Sequence, residues 1–165
     1  MIMANACDHD HRHPAGLSKT ALNHQLATAE LRCAEREQRL TAPRRRVLEM
    51  LLQAGQPVKA YDLIAAFAEG APAKPPTVYR ALEFLSKQGF AHRIESLNAY
   101  VACRHSASEG ADKHAAAFLI CDCCGATREI DPAVLDSIQA AAGARDFTVQ
   151  AVTIEAHGLC ADCGA

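Results

Sequence analysis

The stretch KPPTVYRALEFLSKQGFAHRIESLNAYVAC, residues 74–103, decides the fold. It predicts one helix followed by two strands. Thr77 reads as the N-cap of a helix that ends near Gly89, after a Pro-rich turn over residues 70–76. At about 100° per residue, Val78, Ala81, Leu82 and Leu85 fall on one side of that helix. Arg80, Glu83 and Lys87 fall on the other, with Tyr79 at the flank. Phe90–Glu95 and Asn98–Cys103 read as strands joined by a tight turn at Ser96-Leu97-Asn98.

Upstream the pattern is helical. Between Ser18 and Gln38, Leu22, Leu26, Ala29 and Cys33 recur at spacings of three and four. Cys33 then lies on the apolar stripe, as a small buried hydrophobe. Thr41 reads as the N-cap of a second helix, with Pro43 in its first turn, Val47, Leu48, Leu51 and Leu52 on its apolar face, and Gly55 as its stop. A third, short helix over about Ala60 to Ala68 buries Leu63, Ile64 and Phe67. Helices, a short connection, a further helix and a strand hairpin make the element order of a winged helix-turn-helix.

Downstream, Ala115–Cys121 reads as a buried strand and Thr127–Ile130 as a second. Asp131 caps a helix with Pro132 at its first position, burying Val134, Leu135 and Ile138. Phe147–Ala156 alternates and reads as a third strand. The fold class is therefore α+β: an N-terminal winged helix-turn-helix, then a small C-terminal α/β domain. The expected divisions are a disordered His-rich tail over residues 1–16, the winged helix over 17–104, a linker over 105–114 and the small domain over 115–165.

Two Cys-x-x-Cys knuckles, Cys121/Cys124 and Cys160/Cys163, stand 35 residues apart. Four thiolates at this paired spacing close a tetrahedral zinc site with no open coordination position, so the ion builds structure. Cys123 lies inside a knuckle and is expected to point away. The small domain has too little core to stand comfortably alone, so a metal or a partner subunit should stabilise it.

Other donors, His92, Cys103, His114 and Glu129, lie near the junction of the two halves. Imidazole, thiolate and carboxylate together suit Zn2+. With one thiolate and one carboxylate the loaded site is formally neutral, and its ligands are drawn from both halves, as a sensor would require. By spacing alone each residue also fits a plain structural role, and His105 is a rival ligand.

Composition bounds the function. The chain has 165 residues and a formal net charge of −2. Residues 1–102 hold 13 Lys+Arg against 10 Asp+Glu, and residues 103–165 hold 4 against 9, so the halves carry +3 and −5. Met1–Pro14 has no apolar signal region, and no apolar run reaches the roughly 18 residues of a membrane span. Clustered cysteines without a secretory signal fit a reducing cytoplasm and metal or redox use. A Cys-x-x-Cys thiol oxidoreductase fits the knuckles but lacks a thioredoxin-like alternation of strands and helices. A zinc storage or delivery protein remains open.

Four motifs, Lys74–Leu82, Tyr100–Cys103, Phe118–Gly125 and Ile154–Cys160, closely resemble the ferric uptake regulator superfamily, and within it the zinc uptake regulator branch. The resemblance covers about residues 20–163. It implies a zinc-responsive repressor that binds double-stranded operator DNA as a homodimer through the C-terminal dimerisation domain. It implies no enzyme activity, no small organic substrate and no membrane. It assigns Cys121, Cys124, Cys160 and Cys163 to a structural zinc and His92, Cys103, His114 and Glu129 to a regulatory zinc, about two ions per chain. Tyr61 and Arg80 match base-contacting positions, with Tyr79 beside them. Thr77, Lys74, Lys87 and Arg45 complete the candidate DNA face. Arg44, Arg46 and Lys59 are further phosphate candidates. Iron- and peroxide-sensing members usually carry a His/Asp-rich run before the first knuckle; here that stretch is His114-Ala-Ala-Ala-Phe118, and the soft thiolate Cys103 points to zinc.

Overall fold

The computed structural model describes residues 16–67, 74–103, 115–130, 135–149 and 152–164. These form two compact units, and the division falls between Cys103 and Ala115. No helix among the described residues is long and apolar enough to cross a membrane.

The first unit runs α1 (Lys19–Glu35), α2 (Ala42–Ala54), β1 (Val58–Lys59), α3 (Ala60–Phe67), α4 (Pro75–Lys87), β2 (Ala91–Ile94) and β3 (Ala99–Ala102). Ser18 caps α1, its hydroxyl accepting from the Ala21 N–H at 3.3 Å. The helix stops at Glu35, short of the expected Gln38, and Glu37 then turns to a φ of 54°. Thr41 is the N-cap residue of α2, but its side chain makes no capping bond. Gly55 ends α2 at a φ of 63°, its N–H donating to the Leu51 carbonyl at 3.2 Å.

The start of α4 corrects the sequence reading. The N-cap is Lys74, and Pro75 and Pro76 occupy the first turn. Proline lacks an N–H that would be orphaned there anyway, and its fixed φ suits the helix. Thr77 therefore lies inside the helix, its N–H donating to the Lys74 carbonyl at 2.8 Å.

The hairpin β2–β3 pairs Ala91 with Ala102 and His92 with Val101. Asn98 closes its turn at a φ of 47°. Strand β1 was not read from the sequence, because two residues carry no alternation. It pairs antiparallel with β3, giving a sheet in the order β1-β3-β2. Beneath it lies one apolar core. Leu26 and Cys33 from α1, Val47 and Leu51 from α2, Leu63 from α3, and Val78, Leu82 and Leu85 from α4 are all essentially inaccessible. Burying each large side chain stabilises by about 1.5–3 kcal/mol. The expected stripes of α1, α2 and α4 are the ones buried.

The second unit contains β4 (Ala115–Cys121), β5 (Thr127–Ile130), α5 (Leu135–Gly143) and β6 (Val152–Gly158). Its sheet has the order β5-β4-β6; β5 is antiparallel to β4 and β6 is parallel to it. The third strand differs from the expected Phe147–Ala156. Residues 147–149 are outside it and Phe147 is 67% exposed. The strand starts at Val152, which pairs with Ala115 at the first residue of β4, and runs to Gly158 opposite Cys121. Among the described residues, Ala116, Ala117, Phe118, Ile120 and Cys121 are the buried apolar set of this unit. Residues 1–15 of the expected tail, the linker with His105 and His114, and the cap at Asp131 and Pro132 lie outside the described residues.

Candidate metal centres and nucleic-acid interface

Strand β4 delivers Cys121 to the end of the sheet, and the turn over Asp122–Cys124 brings the chain back. Gly125, at a φ of 72°, closes this first knuckle, its N–H donating to the Cys121 carbonyl at 2.9 Å. The parallel register of β6 sets the second knuckle beside the first. There the Cys163 N–H donates to the Cys160 carbonyl at 3.0 Å. Three contacts tie the knuckles together. The Asp122 N–H donates to the Gly158 carbonyl at 2.8 Å, the Cys160 N–H to Cys121 Sγ at 3.3 Å, and His157 Nδ1 meets Asp122 Oδ1 at 2.8 Å.

The sulfurs of Cys121, Cys124, Cys160 and Cys163 all lie within 4.8 Å of one another. Cys124 Sγ and Cys160 Sγ are 3.7 Å apart. A tetrahedral ion with sulfurs at 2.3 Å requires an S–S edge of about 3.8 Å, so the donor set fits zinc. Cys123 is outside the cluster. The thiols share charge unequally. N–H donors, that of Cys124 first, hold Cys121 down at about 6, against the opposing effect of burial. Burial pushes Cys124 and Cys163 up, and neighbouring sulfurs raise them further. A bound cation reverses this by favouring thiolate at every ligand, with release of protons.

In the first unit, His92 sits on β2 and Cys103 immediately follows β3. The Cys103 N–H donates to the Phe90 carbonyl at 2.9 Å. Its side chain is buried beside Gln25, Ala29, Leu48, Leu52 and Phe90. The hairpin brings a His92 ring nitrogen within 4.8 Å of Cys103 Sγ. In the second unit, Glu129 lies half-buried on β5 opposite Phe118. His114 falls outside the described residues.

Helix α4 turns Tyr79 and Arg80 to solvent, and α3 exposes Tyr61 at 77%. Among the described residues, the side chains of Arg80, Lys59 and Lys74 make no hydrogen bond or ion pair, so their charge is uncommitted. Arg45 and Lys87 differ. Arg45 Nε meets Glu30 Oε1 at 3.0 Å, and Lys87 Nζ meets Glu83 Oε1 at 2.8 Å, a hydrogen bond that holds the Glu83 carboxyl below its usual range. Exposed pairs of this kind are weak because solvent screens them, so a phosphate can recruit these cations. Arg46 is likewise paired, to Glu49 at 3.2 Å. The sequence reading missed the Asp122–His157 pair. The two residues lie 35 positions apart, and only the parallel β4–β6 register joins them.

A winged-helix unit followed in one chain by a four-cysteine unit is the architecture of a metal-binding transcription regulator. The chain belongs to the ferric uptake regulator family, whose sequence pattern matches residues 35–157. It is 44% identical over 149 residues to the zinc uptake regulation protein of Escherichia coli (strain K12), covering 89% of this chain and 85% of that protein. It superposes on a zinc uptake regulator complexed with zinc and DNA with a TM-score of 0.78 at 44% identity, covering 87% of this chain and 95% of the other. The holo form of XcZur matches with a TM-score of 0.75 at 46% identity, over 85% of this chain and 96% of that one.

Proposed function

We propose that this protein is a cytoplasmic zinc-responsive repressor that binds operator DNA as a zinc-loaded homodimer and represses zinc uptake genes. One observation carries the reading. The hairpin that directly follows the recognition helix α4 holds an imidazole and a thiolate within 4.8 Å, so sensing donors and reading head share one unit. The names of its relatives support the metal and the DNA.

Two zinc ions per chain divide the work. Cys121, Cys124, Cys160 and Cys163 hold the structural ion. His92, Cys103, His114 and Glu129 hold the regulatory ion, a mixed N, S and O set suited to zinc. On DNA, α4 enters the major groove. Arg80 donates to a guanine edge, discriminating by about 1–3 kcal/mol, and Tyr61 and Tyr79 contact thymine methyls or the backbone. Lys74 and Thr77 at the start of α4, with Lys87, Arg45 and Lys59, supply phosphate contacts. A two-fold dimer reads a pseudo-palindromic site.

The test begins by selecting a duplex from a random-sequence pool with zinc-loaded protein. Titrations with and without zinc follow. Zinc should tighten binding about 5- to 150-fold, the usual span of allosteric coupling. Cys103→Ser should remove that response while the protein remains folded. A full zinc response in Cys103→Ser would sink the regulatory assignment.

A further inference from the structure

The recognition helix is gripped near its C-terminal end by cations from two other helices. From α2, the Arg44 guanidinium carbon lies 3.5 Å from the centroid of the Phe84 ring on α4. From the end of α1, Arg36 Nη1 donates to the carbonyl and the side-chain oxygen of Gln88, the C-cap of α4, each at 3.4 Å. Arg32 stands over Phe90 at 5.2 Å. Cations belong there, because the helix dipole leaves negative partial charge at that end.

Resting on the DNA-binding reading above, we propose that Arg44 is a positioning residue for α4 and not a phosphate contact. Three observations support this. One face of its guanidinium is covered by the Phe84 ring, its Nη1 is spent on the Arg39 carbonyl at 2.6 Å, and the residue is half-buried. The buried face of α4, made of Val78, Ala81, Leu82, Phe84 and Leu85, is apolar, and apolar contact has no direction. A planar cation stacked on a ring has direction, and Lys cannot reproduce it. Phe84 is one turn beyond Arg80, so the stack fixes the helix close to the side chain that reads the base. Bidentate readout depends on hydrogen bonds of about 2.7–3.2 Å, so a small tilt of α4 breaks it.

Positioning and phosphate contact leave different traces. Losing a phosphate contact weakens binding to all sequences and lowers the salt slope by about 0.9. Losing alignment weakens the operator alone and leaves the slope unchanged. The loss is bounded by the stacking interaction, equivalent to roughly 3- to 30-fold in affinity.

The experiment measures fluorescence anisotropy of zinc-loaded protein on the selected duplex and on its scrambled counterpart, at several KCl concentrations. Arg44→Lys and Phe84→Leu should each weaken operator binding roughly 3- to 30-fold. Scrambled-duplex affinity and salt slope should match the wild type. The double variant should lose no more than the worse single variant, because both remove one contact. Phe84→Leu keeps apolar volume and serves if Arg44→Lys folds poorly. The proposal is overturned if Arg44→Lys or Phe84→Leu binds the operator like the wild type. It is equally overturned if Arg44→Met lowers the salt slope by about 0.9 and weakens both duplexes alike. A wild type that selects no sequence with zinc overturns the repressor reading itself, an outcome recognisable before any variant is made.

Discussion

The two units of this chain are held together by different physics. Residues 16–103 share one apolar core to which α1, α2, α3 and α4 each contribute inaccessible side chains. In residues 115–164, the buried apolar set among the described residues is two alanines, Phe118, Ile120 and Cys121, and all five lie on β4. Cys121 is itself a proposed ligand, so that thin core ends in the metal cluster. The first unit can commit its polar surface to DNA because its stability lies inside. On the proposed assignment the second relies on its sulfurs, which makes its fold and its zinc content one equilibrium.

The strongest way to break this contrast is to remove a structural ligand. Cys121→Ser should eliminate one zinc per chain and the cooperative unfolding of the second unit, because structural zinc contributes about 10–16 kcal/mol in small zinc-dependent folds. The first unit should keep its own melting transition. Calorimetry with metal analysis checks both. Survival of a cooperative second unit in Cys121→Ser would mean that its apolar contacts suffice.

Next in size is a core truncation in the first unit. Leu82→Ala should cost about 2–5 kcal/mol, by the same amount with or without chelator. Denaturant titration followed by tyrosine fluorescence measures it, and a zinc-dependent cost would erase the distinction between the units. The smallest effect belongs to the pair that spans the knuckles. Asp122 and His157 are both exposed, so Asp122→Asn should cost no more than about 1 kcal/mol. It should hasten zinc loss to a chelator only modestly, since the Asp122 N–H still holds Gly158. A collapse like that of Cys121→Ser would show that the side-chain pair, and not the thiolates, holds the knuckles.

How legible each unit was follows from the same difference. The stripes Leu22/Leu26/Ala29/Cys33 and Val78/Ala81/Leu82/Leu85 were readable because core burial imposes helical periodicity on the sequence. The start of α4 was misread at Thr77 because Thr is a strong cap former; Pro75 and Pro76 carried the better signal. In the second unit, the four cysteines announced their cluster by spacing alone. The far limit of β6 was not legible, because Gly158 is set by parallel register against Cys121 of β4, a long-range choice that local alternation does not encode. The inward turn of Arg44 was also hidden. Three consecutive arginines look alike in sequence, yet one stacks on Phe84 while the other two pair with glutamates.

The central claim is that one zinc folds the second unit and another reports. The most direct test is a stepwise titration of loaded protein with a zinc chelator. Bound zinc, far-ultraviolet circular dichroism and operator anisotropy are followed in the same samples. The account predicts that operator binding disappears as zinc falls from two ions per chain to one, while the dichroism stays constant until the last ion leaves. Operator binding that persists to one ion and vanishes only with the fold would contradict it.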